Sequence, residues 1–316
     1  MTAEVQFSPG ELDRGATFYV AGHRGLVGSA IVRRLEAAGF DNIVGKSSAE
    51  LDLKNRDAVF AYFAEIQPKY VVLAAAKVGG ILANSTYPVD FPSDNLRIQL
   101  NVLDAARQAD VERLLFLGSS CIYPKFAEQP IREESLLTGH LEPTNDAYAI
   151  AKIAGILHVQ AVRRQYGLPW ISAMPTNLYG PNDNFSPTGS HVLPALIRRY
   201  DEAVASGLTS VTNWGTGTPR REFLHADDMA DACLHLLEHY DGPEQVNVGS
   251  GTDAVASVVG YTGETHWDTT KPDGTPQKLL DVSKLAQAGW TSTTTLRDGL
   301  ERTVAWYHEH VGALRG

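Results

Sequence analysis

The chain has 316 residues, of which 43% are hydrophobic and 20% charged, an ordinary globular composition long enough for two domains or one large α/β unit. Its 27 basic and 37 acidic residues give a formal net charge of −10, which argues against non-specific binding to nucleic acid or to anionic membranes. A local cluster of arginines could still bind a small anion. The two cysteines, Cys121 and Cys233, exclude a disulfide framework and a four-cysteine zinc site. We therefore expect no metal site and a cytoplasmic location.

The first fifteen residues are polar and include Pro9, Gly10 and Gly15, so they are predicted to form a loose tail. They lack the basic start and apolar core of a signal peptide. No stretch of the chain reaches the ~18 apolar residues of a membrane span.

From residue 16 onward, short apolar runs alternate with stretches of helical spacing. Strands are predicted at 16–21, 42–45, 70–74, 113–117 and 169–173. Helices are predicted between them at 26–38, 56–66, 91–109 and 146–166. This alternation indicates an α/β fold, a Rossmann-type doubly wound parallel sheet with helices on both faces.

After Pro175 the sequence becomes rich in proline, asparagine and glycine. Helices are predicted at 192–205, 227–239 and 296–310, and a returning strand at 245–247. We predict a nucleotide domain over 16–178, joined again by 223–250, and a smaller α/β substrate-binding lobe from 179–222 and 251–316. The site should lie between them, at the carboxyl ends of the strands.

A glycine-rich turn, G-x-x-G-x-x-G, follows the first predicted strand and opens the first helix. Gly22 would make the tight turn, Gly25 would let backbone amides approach a pyrophosphate, and Gly28 would let helix and strand pack closely. The helix N-terminus adds free N–H groups for the phosphates. The alternative is a plain structural turn. The predicted dinucleotide contacts in this turn are Gly22, His23, Arg24, Gly25, Leu26, Val27 and Gly28.

The residues after the second predicted strand distinguish NAD from NADP. The strand is followed by Lys46-Ser47-Ser48, with no acid at its end, and Arg24 can face the same spot. Two cations and two hydroxyls suit the 2′-phosphate of NADP. Glu50 is the competing ribose acid but lies several residues further on, and Lys46 could instead be a solvated surface residue.

A Tyr148-x-x-x-Lys152 pair lies on the long helix at 146–166, and Ser119 follows the fourth strand. The i, i+4 spacing places phenol and ammonium on one helix face. The cation is expected to lower the phenol pKa, so that Tyr148 can exchange a proton with an oxygen whose carbon undergoes hydride transfer. Lys152 can also hold the nicotinamide ribose, and Ser119 can hydrogen-bond the substrate oxygen. The Tyr–Lys spacing alone is usually structural, but the glycine turn and the strand-end serine make it specific.

Together these motifs resemble the extended short-chain dehydrogenase/reductase family. More narrowly, they resemble its branch that acts on GDP-4-keto-6-deoxy-D-mannose, epimerising C3 and C5 and then reducing C4 with NADPH. The resemblance implies a Rossmann fold, NADP(H), a GDP-sugar substrate and a homodimer packed through 91–109 and 146–166. The matching stretches are 21–28, 74–80, 115–125, 141–155, 174–184, 214–225 and 271–282.

Epimerisation beside a ketone needs a base on one face of the ring and an acid on the other. Cys121 is a plausible base, since a thiolate forms when its pKa is depressed, and His191 is a plausible acid. The matching cysteine and histidine take these roles in the family. The alternatives are a buried filler for Cys121 and a loop hydrogen-bonder for His191, whereas Cys233 is expected in the core.

The resemblance also implies the remaining ligand contacts. The cofactor contacts are Lys46, Leu117, Gly118, Ser119, Ser120, Tyr148, Lys152, Pro175, Thr176, Asn177, Leu178 and His191. The substrate contacts are Arg199, Trp214, Arg221 and Asp273, with a surface pair Arg198-Arg199 as the alternative reading of Arg199. Arginine suits bidentate phosphate contacts, and tryptophan can stack on a base or a sugar.

Two comparisons bear on the choice among relatives, and one feature departs from the family pattern. Sugar-nucleotide dehydratases carry an Asp-Glu pair where this chain has Ser120-Cys121. A non-catalytic NADP sensor would need only the glycine turn, whereas another nucleotide-sugar epimerase or reductase remains open. Family members have a longer helix after Gly249, whereas here Asp253 runs directly into the apolar stretch 254–260.

Overall fold

The computed structural model describes residues 10–187, 189–254, 263–270 and 275–314. Its strands are β1 (Phe18–Ala21), β2 (Ile43–Val44), β3 (Tyr70–Leu73), β4 (Arg113–Leu117), β5 (Ile171–Pro175), β6 (Asn177–Tyr179), β7 (Ser210–Trp214), β8 (Arg220–His225), β9 (Val246–Val248), β10 (Asp253–Ala254), β11 (Glu264–Asp268) and β12 (Gln277–Lys278). Its α-helices are α1 (Leu26–Ala37), α2 (Arg56–Ile66), α3 (Ile81–Thr86), α4 (Asp90–Gln108), α5 (Asp146–Tyr166), α6 (Val192–Ala205), α7 (Ala226–His239), α8 (Ser283–Gln287) and α9 (Leu296–Leu314).

Six strands form one parallel sheet in the order β2-β1-β3-β4-β5-β9. The residues of β1, β3, β4 and β5 are buried throughout, as expected for strands covered by helices on both faces. Helices α1 and α7 pack together, and α4 packs against α2 and α5. Two apolar cores result, one on each face of the sheet. The predicted doubly wound fold is confirmed.

Short strands after β5 form two smaller sheets. β8 pairs with β10, β12 and β6, and β7 pairs in parallel with β11. Glu222 on β8 is fully buried, and its carboxylate accepts hydrogen bonds from the backbone N–H groups of Gly251 and Leu280. This carboxylate joins three segments that are distant in sequence and fixes the cleft wall beside the main sheet.

Most element boundaries agree with the sequence prediction to within two or three residues. The largest differences concern the last helix, which extends beyond the predicted 296–310 to Leu314, and the short elements that were not predicted. Those missed elements are α3, β6, β7, β8, β10, β11, β12 and α8.

Residues 10–15 are not the loose tail that was predicted. The Gly10 amide donates to the carbonyl of Glu238, and the Leu12 amide donates to the Glu238 carboxylate. Arg14 Nη1 lies 2.7 Å from the same carboxylate. These contacts tie the segment to the end of α7. Residues 1–9, and the unusual stretch 255–260, lie outside the described residues, and the proposed domain division stays a prediction.

None of the described helices is both long enough and apolar enough to cross a bilayer.

Candidate active site

The glycine-rich turn leads from β1 into α1. Gly22 has φ +87°, and a Cβ there would lie 2.8 Å from the backbone nitrogen of Ala75. A Cβ on Gly28 would collide with the carbonyl of Gly22. These two glycines are therefore required by the turn itself, as the sequence predicted.

Gly25 differs, because a Cβ there would meet the Gly22 carbonyl only at 3.5 Å, an ordinary contact distance. Gly25 is the N-cap residue of α1, it provides no side-chain cap, and the first turn of the helix holds no acid. The helix end thus presents uncapped N–H groups, a positive dipole end and a bare backbone. These features fit a pyrophosphate. Close approach of a pyrophosphate to the backbone would explain a glycine at position 25, where packing alone would allow a side chain.

A cluster of charged side chains lies beyond β2. Glu50 Oε2 is 3.8 Å from Arg24 Nη2, and Glu50 Oε1 is 3.9 Å from Lys46 Nζ. The Ser47 amide and hydroxyl both donate to Glu50, at 2.8 and 2.6 Å. These hydrogen bonds, first that of the Ser47 hydroxyl, lower the pKa of Glu50. The turn 47–50 therefore brings Glu50 back between the two cations. Its distance from β2 along the sequence did not indicate how close it lies to Arg24 and Lys46 in the fold.

The cluster still carries one excess positive charge and fits the 2′-phosphate of NADP. Below it, the His23 ring fills the space that a side chain on residue 45 would need, since a Cβ on Gly45 would lie 2.5 Å from the ring. The His23 ring therefore leaves no room for a side chain at residue 45. Its ring pKa is lowered, mainly by burial.

The carboxyl end of β4 carries the predicted serine and cysteine. After Leu117 and Gly118 the chain enters a 3₁₀ turn over Ser120–Ile122, with Ser119 as its N-cap. The Cys121 amide donates to Ser119 Oγ at 3.2 Å. The turn ends the strand and directs residues 119 and 121 into the same cleft.

Cys121 has the depressed pKa that its predicted role needs. Burial raises the pKa of the thiol, but the charge of Lys278, hydrogen bonds from Ser119 and Lys278, and the charge of Arg221 outweigh burial and lower it. Lys278 Nζ lies 3.5 Å from Sγ. Cys233, in contrast, is 1% exposed among apolar side chains, and burial raises its pKa, which confirms it as a core residue.

Tyr148 and Lys152 lie one turn apart on α5, but their electrostatics differ from the expectation. Burial, and then the charge of Cys121, raises the pKa of Tyr148, whereas a hydrogen bond with Ser119 lowers it by less. Burial lowers the pKa of Lys152 to about 7. The ammonium group donates to the Leu117 carbonyl at 2.7 Å and lies 6.0 Å from the phenol ring centroid. The prediction that Lys152 lowers the phenol pKa is therefore wrong for this arrangement.

His191 is the N-cap residue of α6. Its neighbour Ser190 approaches Gly80, where a Cβ would lie 3.1 Å from the Ser190 carbonyl oxygen. His191 is exposed to solvent, and desolvation by the protein atoms near its ring lowers the ring pKa. Within the described part of the chain, no hydrogen bond or ion pair joins His191 to Cys121.

The predicted cofactor segment 175–178 runs from the end of β5 into β6. Thr176 and Asn177 both donate to the Glu222 carbonyl, at 3.2 and 2.9 Å. Thr176 is buried, and the side-chain nitrogen of Asn177 is hydrogen-bonded within the fold. This segment is positioned by β8, a strand that the sequence did not predict.

The predicted substrate residues occupy α6, β7 and β8. Arg199 donates to the Thr212 carbonyl and to Asn213 Oδ1, at 3.2 and 2.7 Å, and its contact with substrate stays a prediction. Trp214 is 61% exposed on β7, and Arg221 lies on β8 beside Lys278. Asp273 lies outside the described residues. Lys278 itself was not predicted, because nothing in its sequence neighbourhood marks it as a cysteine neighbour.

Comparisons with known proteins point to one family. A family model described as "NAD dependent epimerase/dehydratase family" matches residues 18–249. The chain is 60% identical over 307 residues to GDP-L-fucose synthase 1 of Arabidopsis thaliana, with 95% of each chain covered.

Two solved structures are similar over almost the whole chain. A GDP-6-OMe-4-keto-L-xylo-heptose reductase from C. jejuni matches with a TM-score of 0.89 and 34% identity, covering 95% of this chain and 100% of that one. A GDP-L-fucose synthetase from Naegleria fowleri bound to NADP matches with a TM-score of 0.88 and 28% identity, covering 99% and 100%. The glycine turn, the serine, tyrosine and lysine at one sheet edge, and a family match over most of the chain lead to one conclusion: the chain belongs to the NAD dependent epimerase/dehydratase family.

Proposed function

We propose that this protein converts GDP-4-keto-6-deoxy-D-mannose to GDP-L-fucose with NADPH, by epimerisation at C3 and C5 followed by reduction at C4. The observation that carries the proposal is the cation-stabilised thiol of Cys121, hydrogen-bonded to Ser119 beside Tyr148. A reductase that only delivers hydride needs no base at this position. High identity to GDP-L-fucose synthase 1 of Arabidopsis thaliana supports the same assignment.

The epimerisation depends on the acidity of the carbons beside the C4 ketone. The Cys121 thiolate takes the proton from the ring carbon, and the C–H electrons move into the carbonyl to give an enolate. Ser119 and Tyr148 hydrogen-bond the enolate oxygen, and His191 returns a proton to the opposite face of the ring. The lowered pKa makes the imidazolium of His191 a stronger acid, and it also reduces the fraction of the protein that carries this proton at neutral pH.

The reduction uses the same oxygen contacts. NADPH, when bound, supplies the hydride to C4. Tyr148 then donates its proton to the oxygen, and its raised pKa ensures that the proton is still present when needed. Lys152 is fixed by the Leu117 carbonyl at the position that suits a ribose hydroxyl. The helix end at Gly25 would hold the pyrophosphate, and Arg24 with Lys46 would hold the 2′-phosphate.

A single-step C4 reductase is the second candidate, favoured by the similarity to the C. jejuni heptose reductase. The two functions differ in whether ring protons exchange with solvent. We expect the protein without NADPH to introduce deuterium at C3 and C5 of the keto sugar in D₂O. Cys121→Ser should abolish this exchange, whereas Cys233→Ala, a matched control in the core, should retain it. Reduction without exchange would select the single-step reductase.

We also propose a cytoplasmic homodimer. Helices α4 and α5 pack together, and Leu100, Ile150 and Leu157 on them are between 42% and 51% exposed, an apolar set that a second copy would cover. A reducing compartment keeps Cys121 as a free thiol. Light scattering should give twice the chain mass, and Leu157→Lys should give a monomer. A wild-type monomer at micromolar concentration would contradict the dimer.

A further inference from the structure

Three distant parts of the chain meet at the sulfur of Cys121. The residue itself lies in the 3₁₀ turn after β4, and β12 brings Lys278 to within 3.5 Å of Sγ from 157 residues further along the chain. β12 pairs in parallel with β8, so that Lys278 lies opposite Arg221. The strand pairing therefore places two cations side by side at the cleft wall that faces the sulfur.

Lys278 can contact the sulfur because the other two charged residues of the cavity, Lys125 and Glu142, form an ion pair with each other. Cys121, Lys125, Glu142 and Lys278 line one small cavity. Lys125 Nζ lies 2.9 Å from the Glu142 carboxylate, so this carboxylate is paired with Lys125 and not with Lys278. Among the residues that the structure describes, Sγ is the only side-chain partner of Lys278.

We propose that Lys278 is a positioning residue for Cys121, whose ammonium group holds the sulfur as a thiolate directed at the substrate ring. The inference rests on the proposed function for its catalytic meaning, although the contact between the two side chains does not. In the step it serves, a sulfur lone pair forms an S–H bond as the ring C–H bond breaks, and the C–H electrons pass to the C4 oxygen. The S–H proton then leaves to solvent, which restores the ion pair.

The other groups around the sulfur cannot replace Lys278. Arg221 contributes a weaker effect on the thiol and is expected to bind the diphosphate of the substrate. Ser119 donates a neutral hydrogen bond, and Tyr148 provides a phenol whose own ionisation is opposed by the thiolate. Lys125 and Glu142 face the same cavity as a neutral pair. Lys278 is therefore the cation on which the thiolate depends.

The test measures the rate at which iodoacetamide alkylates Cys121 as a function of pH, by mass spectrometry of the protein without substrate. Removal of an opposite charge at this distance should shift the midpoint by about one pH unit upward in Lys278→Met and slow alkylation about tenfold near neutral pH. Lys278→Arg should restore most of the rate. Lys125→Met, which removes a cation from the same cavity, should leave the midpoint unchanged. Cys233 reports folding in every sample, because it reacts only when the core opens.

Three outcomes would overturn the proposal: an unchanged midpoint in Lys278→Met, a rate lowered by the same factor at every pH, or a wild-type midpoint no lower than the ~8.5 of free cysteine. The last needs no variant, and Lys278→Gln is the second substitution should Lys278→Met fail to fold. Failure of the proposed function is a separate result. It would appear as absent C3 and C5 exchange in wild-type protein, whatever the alkylation profile.

Discussion

The burial of Lys152 lets us predict how the free energy of unfolding depends on pH. The residue is 4% exposed, and its pKa falls from 10.5 to about 7 on folding. A lysine whose pKa is lowered by folding costs stability at every pH below the folded value. Above pH 7 the cost shrinks as pH rises, because the folded protein has lost the proton that the unfolded chain still carries, and the cost vanishes near the unfolded pKa. Lys152→Met should therefore stabilise the cofactor-free protein, and most strongly at low pH.

The size of the effect follows from two opposing contributions. A pKa lowered by 3.5 units corresponds to about 5 kcal/mol of lost stability below pH 7. The variant also leaves the Leu117 carbonyl without its 2.7 Å hydrogen bond, a buried polar group that costs about 1–3 kcal/mol. We therefore expect the free energy of unfolding to rise by about 2–4 kcal/mol near pH 6. The gain should decline by about 1.4 kcal/mol per pH unit above pH 7.

Urea unfolding at several pH values between 6 and 9 measures this gain directly. Lys54→Met is the matched control, because Lys54 forms a surface ion pair with Asp94 at 3.8 Å, and such pairs contribute little. Its effect should be small and independent of pH, whereas catalytic reduction should collapse only in Lys152→Met. A Lys152→Met protein that is less stable near pH 6, or whose gain does not vary with pH, would refute the burial argument.

Three further outcomes test other parts of the site. Tyr148→Phe should retain C3 and C5 exchange but lose C4 reduction by about 10²–10⁴-fold, measured by NADPH oxidation, and full reduction would remove Tyr148 as the proton donor. Arg24→Ala with Lys46→Ala should erode the preference for NADPH over NADH, measured as the ratio of kcat/KM values, and an unchanged ratio would contradict the 2′-phosphate site. Gly28→Ala should weaken NADPH binding at least about tenfold in a fluorescence titration, because the new methyl group must displace the turn at Gly22, and normal affinity would contradict that packing.

The sequence predicted the sheet and its helices well, because their signals are local. The bounds of α2, α5, α6 and β4 follow from apolar periodicity bounded by glycine or proline. The catalytic serine, tyrosine and lysine follow from motif spacing. These features need no knowledge of which distant segments meet in the fold.

The missed features all depend on contacts between distant segments. β12 has two residues, too few for periodicity to mark, yet its pairing with β8 places Lys278 at the sulfur. Glu50 was set aside because of its distance along the chain, although one tight turn returns it to Arg24 and Lys46. The phenol pKa was misjudged because motif spacing carries no information about burial, which dominates at Tyr148.

The charge on Cys121 adds to the effect of burial and raises the pKa of Tyr148, so the proposed base of the epimerisation favours the protonated form of the proposed acid of the reduction. While the sulfur is negative, the phenol keeps its proton, so Tyr148 is still an acid when C4 is reduced. This electrostatic coupling between the thiolate and the phenol keeps the proton donor of the reduction in its acidic form. A chain that lost the cysteine during divergence would also lose this electrostatic coupling. Its Tyr148 would lose its proton at a lower pH, and its reductase activity would therefore fall at a lower alkaline pH than that of its ancestor.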